Sequence, residues 1–180
     1  MERISIIGTS GSGKTTLARR LAHDLDLPHL ELDAVFHQPD WTPLDDDEFR
    51  EQVQAFCTAD RWVVCGKYAV VRPIVFARAD TIICLDHNRV RQTLRVARRT
   101  LRRAIRREEL WNGNRESLTN LWPFQAPERS MVRWTWTNIP RARALFDEVE
   151  AHPPHPGVTV VRLRGWTEVD AFVRESAGAK

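Results

Sequence analysis

Residues 8–15 read Gly-Thr-Ser-Gly-Ser-Gly-Lys-Thr, a complete G-x-x-x-x-G-K-[ST] loop. The loop follows an apolar run, Ile4-Ser5-Ile6-Ile7, and precedes a helical pattern, Leu17-Ala18-x-x-Leu21-Ala22-x-x-Leu25. Strand, glycine-rich loop and helix in this order point to an α/β chain whose first strand delivers the loop to a helix N-terminus. The residue types suit phosphate. Gly8, Gly11 and Gly13 allow backbone conformations that a Cβ would penalise, so successive N–H groups can turn inward around Thr9, Ser10 and Ser12. The helix start adds unsatisfied N–H groups and its positive dipole end. Lys14 supplies a mobile charge for the β- and γ-phosphates, Thr15 a hydroxyl for Mg²⁺, and Thr16 a contact to the α-phosphate. The motif therefore predicts a nucleoside triphosphate with Mg²⁺. ATP is expected ahead of GTP, because no N-K-x-D base-reading motif is present.

The remaining pattern supplies the rest of an α/β domain. Strands are expected at 3–7, 29–32, 62–65, 81–85 and 158–163, as continuous apolar runs separated by helical patterns. Such runs predict a mostly parallel sheet covered on both faces. The first helix is expected over 14–24, stopped by Pro28. Asp45 or Asp46 is expected to cap the next helix, with Phe49, Val53 and Phe56 as its buried stripe. From Asn88 to Phe146 the pattern is helical. Val90, Leu94, Ala97, Leu101 and Ile105 form an apolar stripe read as the buried face, with arginines on the other faces. Leu110–Glu116 breaks that helix with turn residues, and Pro140 is expected to interrupt or restart a later one. A last helix is expected near 168–175, with the tail Ser176–Lys180 frayed.

At 180 residues the chain fits one domain, 1–180. Its net charge is only +3, so no nucleic-acid partner is demanded. The charge is nevertheless uneven, since nine arginines fall between Arg89 and Arg107. The three cysteines, Cys57, Cys65 and Cys84, are odd in number and scattered. They read as small core residues in a reducing cytoplasm rather than as disulfide or metal ligands. No run approaches the roughly 18 apolar residues that span a membrane, and the N-terminus has no signal-peptide pattern.

Further motifs carry a resemblance. Leu32-Asp33 is followed by Phe36-His37-Gln38-Pro39-Asp40-Trp41. Downstream come Trp62-Val63-Val64-Cys65-Gly66-Lys67-Tyr68, Ala79-Asp80-Thr81-Ile82-Ile83-Cys84-Leu85-Asp86, and an arginine-rich helix before Trp-Asn-Gly-Asn-Arg-Glu. With the N-terminal loop, these make the chain resemble adenylate-kinase-like P-loop proteins, in the branch labelled topology modulation proteins. The resemblance implies a P-loop NTPase three-layer sandwich with a five-stranded parallel sheet in the order 2-3-1-4-5. It also implies a substrate-binding helical region, here 34–60, and a helical lid, here the arginine-rich region 88–146. That branch usually ends strand 3 with Asp-Gly, the Asp being the acidic partner of the Mg²⁺ shell. Here the position is Cys65, and a neutral thiol is a poor ligand for a cation that prefers hard oxygen donors. The resemblance to shikimate- and gluconate-kinase-like relatives moves the acidic role to Asp33, as a metal partner with Thr15 or as acceptor of a substrate hydroxyl proton.

The expected activity is transfer of the γ-phosphate of Mg-ATP to a small acceptor, of nucleoside-monophosphate-kinase or small-molecule-kinase type. Lys14, Asp33, Arg95 and Arg99 are the catalytic candidates, the two arginines sharing one helical face. Asp33, Lys67, Arg72, Arg115 and Arg141 are the candidates for holding the acceptor. Phe36, Trp41, Trp111, Trp122, Trp134 and Trp136 concentrate in the two mobile regions, as a stacking pocket or as a local core. The alternative is a nucleic-acid-associated or regulatory ATPase, with the arginine-rich helix on phosphate backbone. No membrane partner is expected.

Overall fold

The computed structural model describes residues 1–122 and 130–178. In chain order the elements are β1 (Arg3–Gly8), α1 (Lys14–Leu25), β2 (His29–Glu31), α2 (Leu32–Phe36), α3 (Asp46–Cys57), β3 (Trp62–Cys65), α4 (Arg72–Arg78), β4 (Thr81–Leu85), α5 (Arg89–Arg106), α6 (Met131–Ala151), β5 (Thr159–Leu163) and α7 (Trp166–Gly178). Every strand pair is parallel, and the order is β2-β3-β1-β4-β5.

Strand alternation divides the core into two layers. Ile7, Val64, Ile82 and Cys84 face one side and pack with Phe49, Val53, Val75, Leu145 and Phe146 of α3, α4 and α6. Ile4, Ile6, Val63, Cys65, Ile83 and Leu85 face the other, against Leu17 and Leu21 of α1 and Val169 and Val173 of α7. All three cysteines are free and buried. Asp45 caps α3 by accepting from the Asp47 and Glu48 amides. Phe49 and Val53 are buried as expected, but Cys57, not Phe56, completes their stripe. The short α4, opened by Arg72-Pro73, carries too little periodicity to be read from sequence.

Four local expectations change. Strand β2 ends at Glu31, so Asp33 lies in the first turn of α2, where a helix start favours an acid. Helix α5 is turned the other way from its expected burial. Val90, Leu94, Leu101 and Ile105 are 44–66% exposed, while Gln92, Val96 and Thr100 are buried. The stripe marks which residues share a face. The inward face is chosen instead by polar partners on the loop after β1.

Pro140 neither interrupts nor restarts α6, which runs through it. Proline lacks the N–H that would bond the carbonyl four residues back. That carbonyl, of Trp136, instead accepts from Arg89 Nε at 3.2 Å and Nη2 at 2.8 Å. The Arg89 guanidinium also lies 3.7 Å over the Trp136 ring. Finally, α7 continues to Gly178, and the buried Ser176 donates to the Phe172 carbonyl at 2.7 Å. Fraying therefore does not begin at Ser176. Residues 179–180 of the expected tail, and residues 123–129 of the expected lid, lie outside the described residues.

Candidate active site

The loop between β1 and α1 sits at the carboxyl edge of the sheet, where open α/β sheets bind ligands. Gly11 and Gly13 take φ of +74° and +88°, conformations an L side chain rarely adopts. A Cβ on Gly13 would also collide with the Trp166 indole. The Ser12 amide turns back to the Thr9 carbonyl at 3.3 Å, and the Lys14 ammonium bridges to the same carbonyl at 3.1 Å. Ser12 Oγ is buried without a partner among the described residues. His87 Nε2 donates to the Ser12 carbonyl at 3.0 Å, and burial lowers the His87 pKa, which keeps the ring neutral. Thr9 is buried and Thr16 is exposed.

Two carboxylates stand beside this loop. Glu31 Oε1 accepts from Thr15 Oγ1 at 2.6 Å, and Glu31 pairs in register with Cys65. A carboxylate thus reaches the P-loop threonine from β2, next to the strand end where the thiol replaces the acid. Burial pushes the Cys65 thiol up to about 12, so it stays protonated at neutral pH. Thr15 and Glu31 offer hard oxygen atoms on one contact, a donor set that suits Mg²⁺. Sequence reasoning missed Glu31. The signal lay in the strand order, which sets the end of β2 beside the end of β3.

Asp33 lies beyond Glu31, and its Oδ1 accepts from the Tyr68 hydroxyl at 2.6 Å. His37 Nε2 is 3.4 Å from the same hydroxyl, with its pKa lowered mainly by burial. Burial and the neighbouring Asp33 both raise the Tyr68 pKa, so the phenol remains a donor. Phe36, Phe49 and Tyr68 pack as rings around this corner, and His37 continues the contacts to Trp41 and Trp111. Phe36, Phe49 and Tyr68 form a local core, whereas Trp41, Trp122 and Trp136 are exposed.

The polar face of α5 meets the P-loop. Arg99 Nη2 donates to Ser10 Oγ at 2.9 Å and lies 3.9 Å from Glu116, which Arg103 engages at 3.0 Å. Burial, and then the Arg103 charge, lower the Arg99 pKa. Arg95 stacks 3.8 Å over Trp166, whose other neighbour is His87 at 4.5 Å between centroids. Gln92, buried, donates to Thr9 Oγ1 and to the Ser10 carbonyl. Gln92, His87 and Trp166 are further contributors that motif reading missed, because only tertiary packing brings them to the loop.

The Asn-Gly-Asn turn ties the arginine-rich region to the segment after β2. Asn112 Nδ2 donates to the Ala34 and His37 carbonyls. Buried Asn114 accepts from the Trp41 amide and donates to the Gln38 carbonyl. Arg115 turns its guanidinium to Glu109 at 3.5 Å, away from the P-loop contacts, while its carbonyl accepts from Trp41 Nε1. Lys67, Tyr68 and Arg72 border a small void of about 10 Å³, whose other walls include Ile7, Leu32 and Val64. Arg141 is on α6, close enough for its charge to act on Lys67.

No family model matches the chain, and no curated protein matches it in sequence. Among solved structures it is similar to a gluconokinase from Sinorhizobium meliloti 1021, with 17% identity and a TM-score of 0.52, over 98% of this chain and 90% of that one. It is also similar to a shikimate kinase from Acinetobacter baumannii in complex with shikimate, with 14% identity and a TM-score of 0.54, over 97% of this chain and 90% of that one. At these identities what is shared is the fold: a five-stranded parallel sheet in the order 2-3-1-4-5, flanked by helices, as in P-loop kinases.

Proposed function

We propose that the chain is an ATP-dependent phosphotransferase that moves the γ-phosphate of Mg-ATP to a small hydroxylated acceptor. The carrying observation is the division of labour between two carboxylates, one on the last residue of β2 and one in the first turn of α2. Glu31 is bonded to the P-loop threonine, and Asp33 is bonded to Tyr68 on the acceptor side. Thr15 and Glu31 would hold Mg²⁺, with Asp33 two residues on as a further acidic neighbour; the bound ion supplies charge neutralisation on phosphate oxygens. Lys14 and the loop amides bind the triphosphate. Asp33 takes the acceptor's hydroxyl proton, and Tyr68 orients its carboxylate. Arg99, held on Ser10 of the loop, and Arg95, stacked on Trp166, would supply positive charge to the transferred group and the nucleotide. The region 88–146, tied by Asn112 and Asn114 to the acceptor-binding region 34–60, excludes water.

The likeness in fold to a gluconokinase and a shikimate kinase supports this reading. The resemblance to topology modulation proteins rests on the sequence motifs and names no chemistry. The nucleic-acid alternative is weakened by the inward use of Arg99 and Arg103, which removes two charges from any outer stripe. No helix among the described residues is long and apolar enough to cross a membrane, and the three free thiols suit the cytoplasm. The test is ADP release with Mg-ATP across a panel of nucleotides and small hydroxylated compounds. Acceptor-stimulated release, lost in Asp33→Asn with ATP binding retained, is expected. Release that no compound stimulates would overturn the proposal.

A further inference from the structure

Glu116 is a buried carboxylate, its side chain 5% exposed, and two arginines of α5 converge on it. Its Oε1 accepts from Arg103 Nη1 at 3.0 Å and lies 3.9 Å from Arg99 Nη2. A carboxylate taken out of water is costly unless cations compensate it, so this pairing is what keeps Glu116 buried. Arg99 and Arg103 stand four residues apart on α5, a spacing at which like charges repel. Arg103 has a second carboxylate, Glu108, at 3.8 Å. Among the described residues Glu116 is the one carboxylate within ion-pair distance of Arg99. Arg99 also reaches the other way, since the same Nη2 donates to Ser10 Oγ of the P-loop at 2.9 Å. Its guanidinium is thus spanned between the loop and Glu116. Burial and the Arg103 charge lower the Arg99 pKa, and the Glu116 carboxylate is the largest influence the other way.

Glu116 stands on an anchored stretch of chain. The turn before it closes through the Leu110 amide on the Asn114 carbonyl at 2.7 Å, and Glu109 pairs with Arg115 across it. Asn114, two residues before Glu116, fastens the turn to Gln38 and Trp41. Arg99 Nε is buried with no hydrogen-bond partner among the described residues. A buried N–H is rarely left unpaired, and on an arginine beside a phosphate-binding loop it is a donor still available to a phosphate oxygen. We propose that Glu116 is a positioning residue: it offsets the repulsion from Arg103 and holds the Arg99 guanidinium against the P-loop, where that charge meets the γ-phosphate. The inference rests on the phosphotransferase reading. Glu116 itself touches no reactant and acts through Arg99.

The test is calorimetric binding of Mg-ADP, and of Mg²⁺ with a non-hydrolysable ATP analogue, to the full chain, because the second ligand carries the γ-phosphate and the first does not. The proteins are wild type, Glu116→Gln, Glu116→Asp, Arg99→Gln and the double variant Arg99→Gln/Glu116→Gln. Wild type is expected to prefer the triphosphate by about tenfold or more, the equivalent of one charge-assisted hydrogen bond. Glu116→Gln keeps the shape and removes the charge, and is expected to abolish most of that preference while ADP affinity stays within about twofold. Arg99→Gln should do the same, and the double variant should be no worse than Arg99→Gln, because Glu116 works through Arg99. Glu116→Asp, which keeps the charge and shortens its reach, should fall between wild type and Glu116→Gln. If Glu116→Gln does not fold, Glu116→Asp carries the comparison. A wild-type preference in the Glu116 variants, losses that multiply in the double variant, or equal weakening of both ligands overturns the inference; the last is what a merely structural role would give. ADP release from ATP across the acceptor panel is followed in parallel with wild type. The expected binding pattern without stimulated release would uphold Glu116 as the residue that positions Arg99 on the γ-phosphate and would remove the phosphotransfer reading.

Discussion

Arg89 does in α6 what Pro140 prevents the helix from doing for itself. Removing it should cost stability by an amount that depends on the proline. Hydrogen bonds from a charged donor contribute about 1.5–3 kcal/mol, and a cation over an exposed ring about 0.5–1 kcal/mol. The Trp136 carbonyl is near solvent, and water replaces part of what is lost. Arg89→Ala is therefore expected to cost about 1–2 kcal/mol. In a Pro140→Ala background the new N–H bonds the Trp136 carbonyl, and Arg89 keeps chiefly its ring contact, about 0.5–1 kcal/mol. The cycle of wild type, two single variants and the double variant, followed by urea denaturation, should give a coupling of about 1 kcal/mol. Additivity to within about 0.5 kcal/mol would refute the argument, because it would mean that the carbonyl does not need Arg89.

Glu31→Gln keeps an acceptor for Thr15 but removes the charge, and should raise the Mg²⁺ concentration needed for half-maximal ADP release by about 10–100-fold. Adding Cys65→Asp, in register beside it, should recover part of that loss in the same titration. For α5, Gln92→Leu strands the Thr9 hydroxyl and the Ser10 carbonyl and should cost about 1–3 kcal/mol, whereas Leu94→Gln on the outward stripe should stay within about 0.5 kcal/mol, both read by thermal or urea unfolding. Burial lowers the pKa of His29, His37 and His87, so the folded chain binds fewer protons than the unfolded chain as these rings titrate. Their contribution to stability is full above the ordinary histidine pKa of about 6.5 and is lost as pH falls through it toward the lowered values. Urea midpoints should therefore fall between pH 7.5 and 5.5, and a flat profile would contradict these burial assignments.

The P-loop and the sheet were legible because both are written in contiguous residues. Eight residues specify the loop, and unbroken apolar runs specify strands buried on both faces. Glu31 was hidden because the second strand was expected to run to Leu32, which put Glu31 inside the strand and Asp33 at its end, whereas β2 stops at Glu31 and leaves that side chain beside Thr15. Asp33 was visible as an acid near a strand end, but its Tyr68 partner lies 35 positions away. The direction of α5 was misread for a related reason. Periodicity reports that Val90, Leu94, Leu101 and Ile105 share a stripe, and it says nothing of whether that stripe meets the core or water. Pro140 was read as a break because its missing N–H was weighed without a donor from another helix.

The inverted burial of α5 has a consequence for motion. A helix seated on aliphatic side chains must wet them to leave, at about 1.5–3 kcal/mol for each. Only Val96 of the inward face of α5 would incur that penalty, since Gln92, Arg99, Thr100 and Arg103 would exchange protein partners for water. Its other large aliphatic residues, Val90, Leu94, Leu101 and Ile105, are already exposed in the docked position. On the side of α5 itself, undocking therefore wets little new hydrocarbon, so polar competition should weigh heavily in the equilibrium between docked and undocked α5. Ionic strength, and any phosphate that competes with Ser10 for Arg99, then become its natural controls.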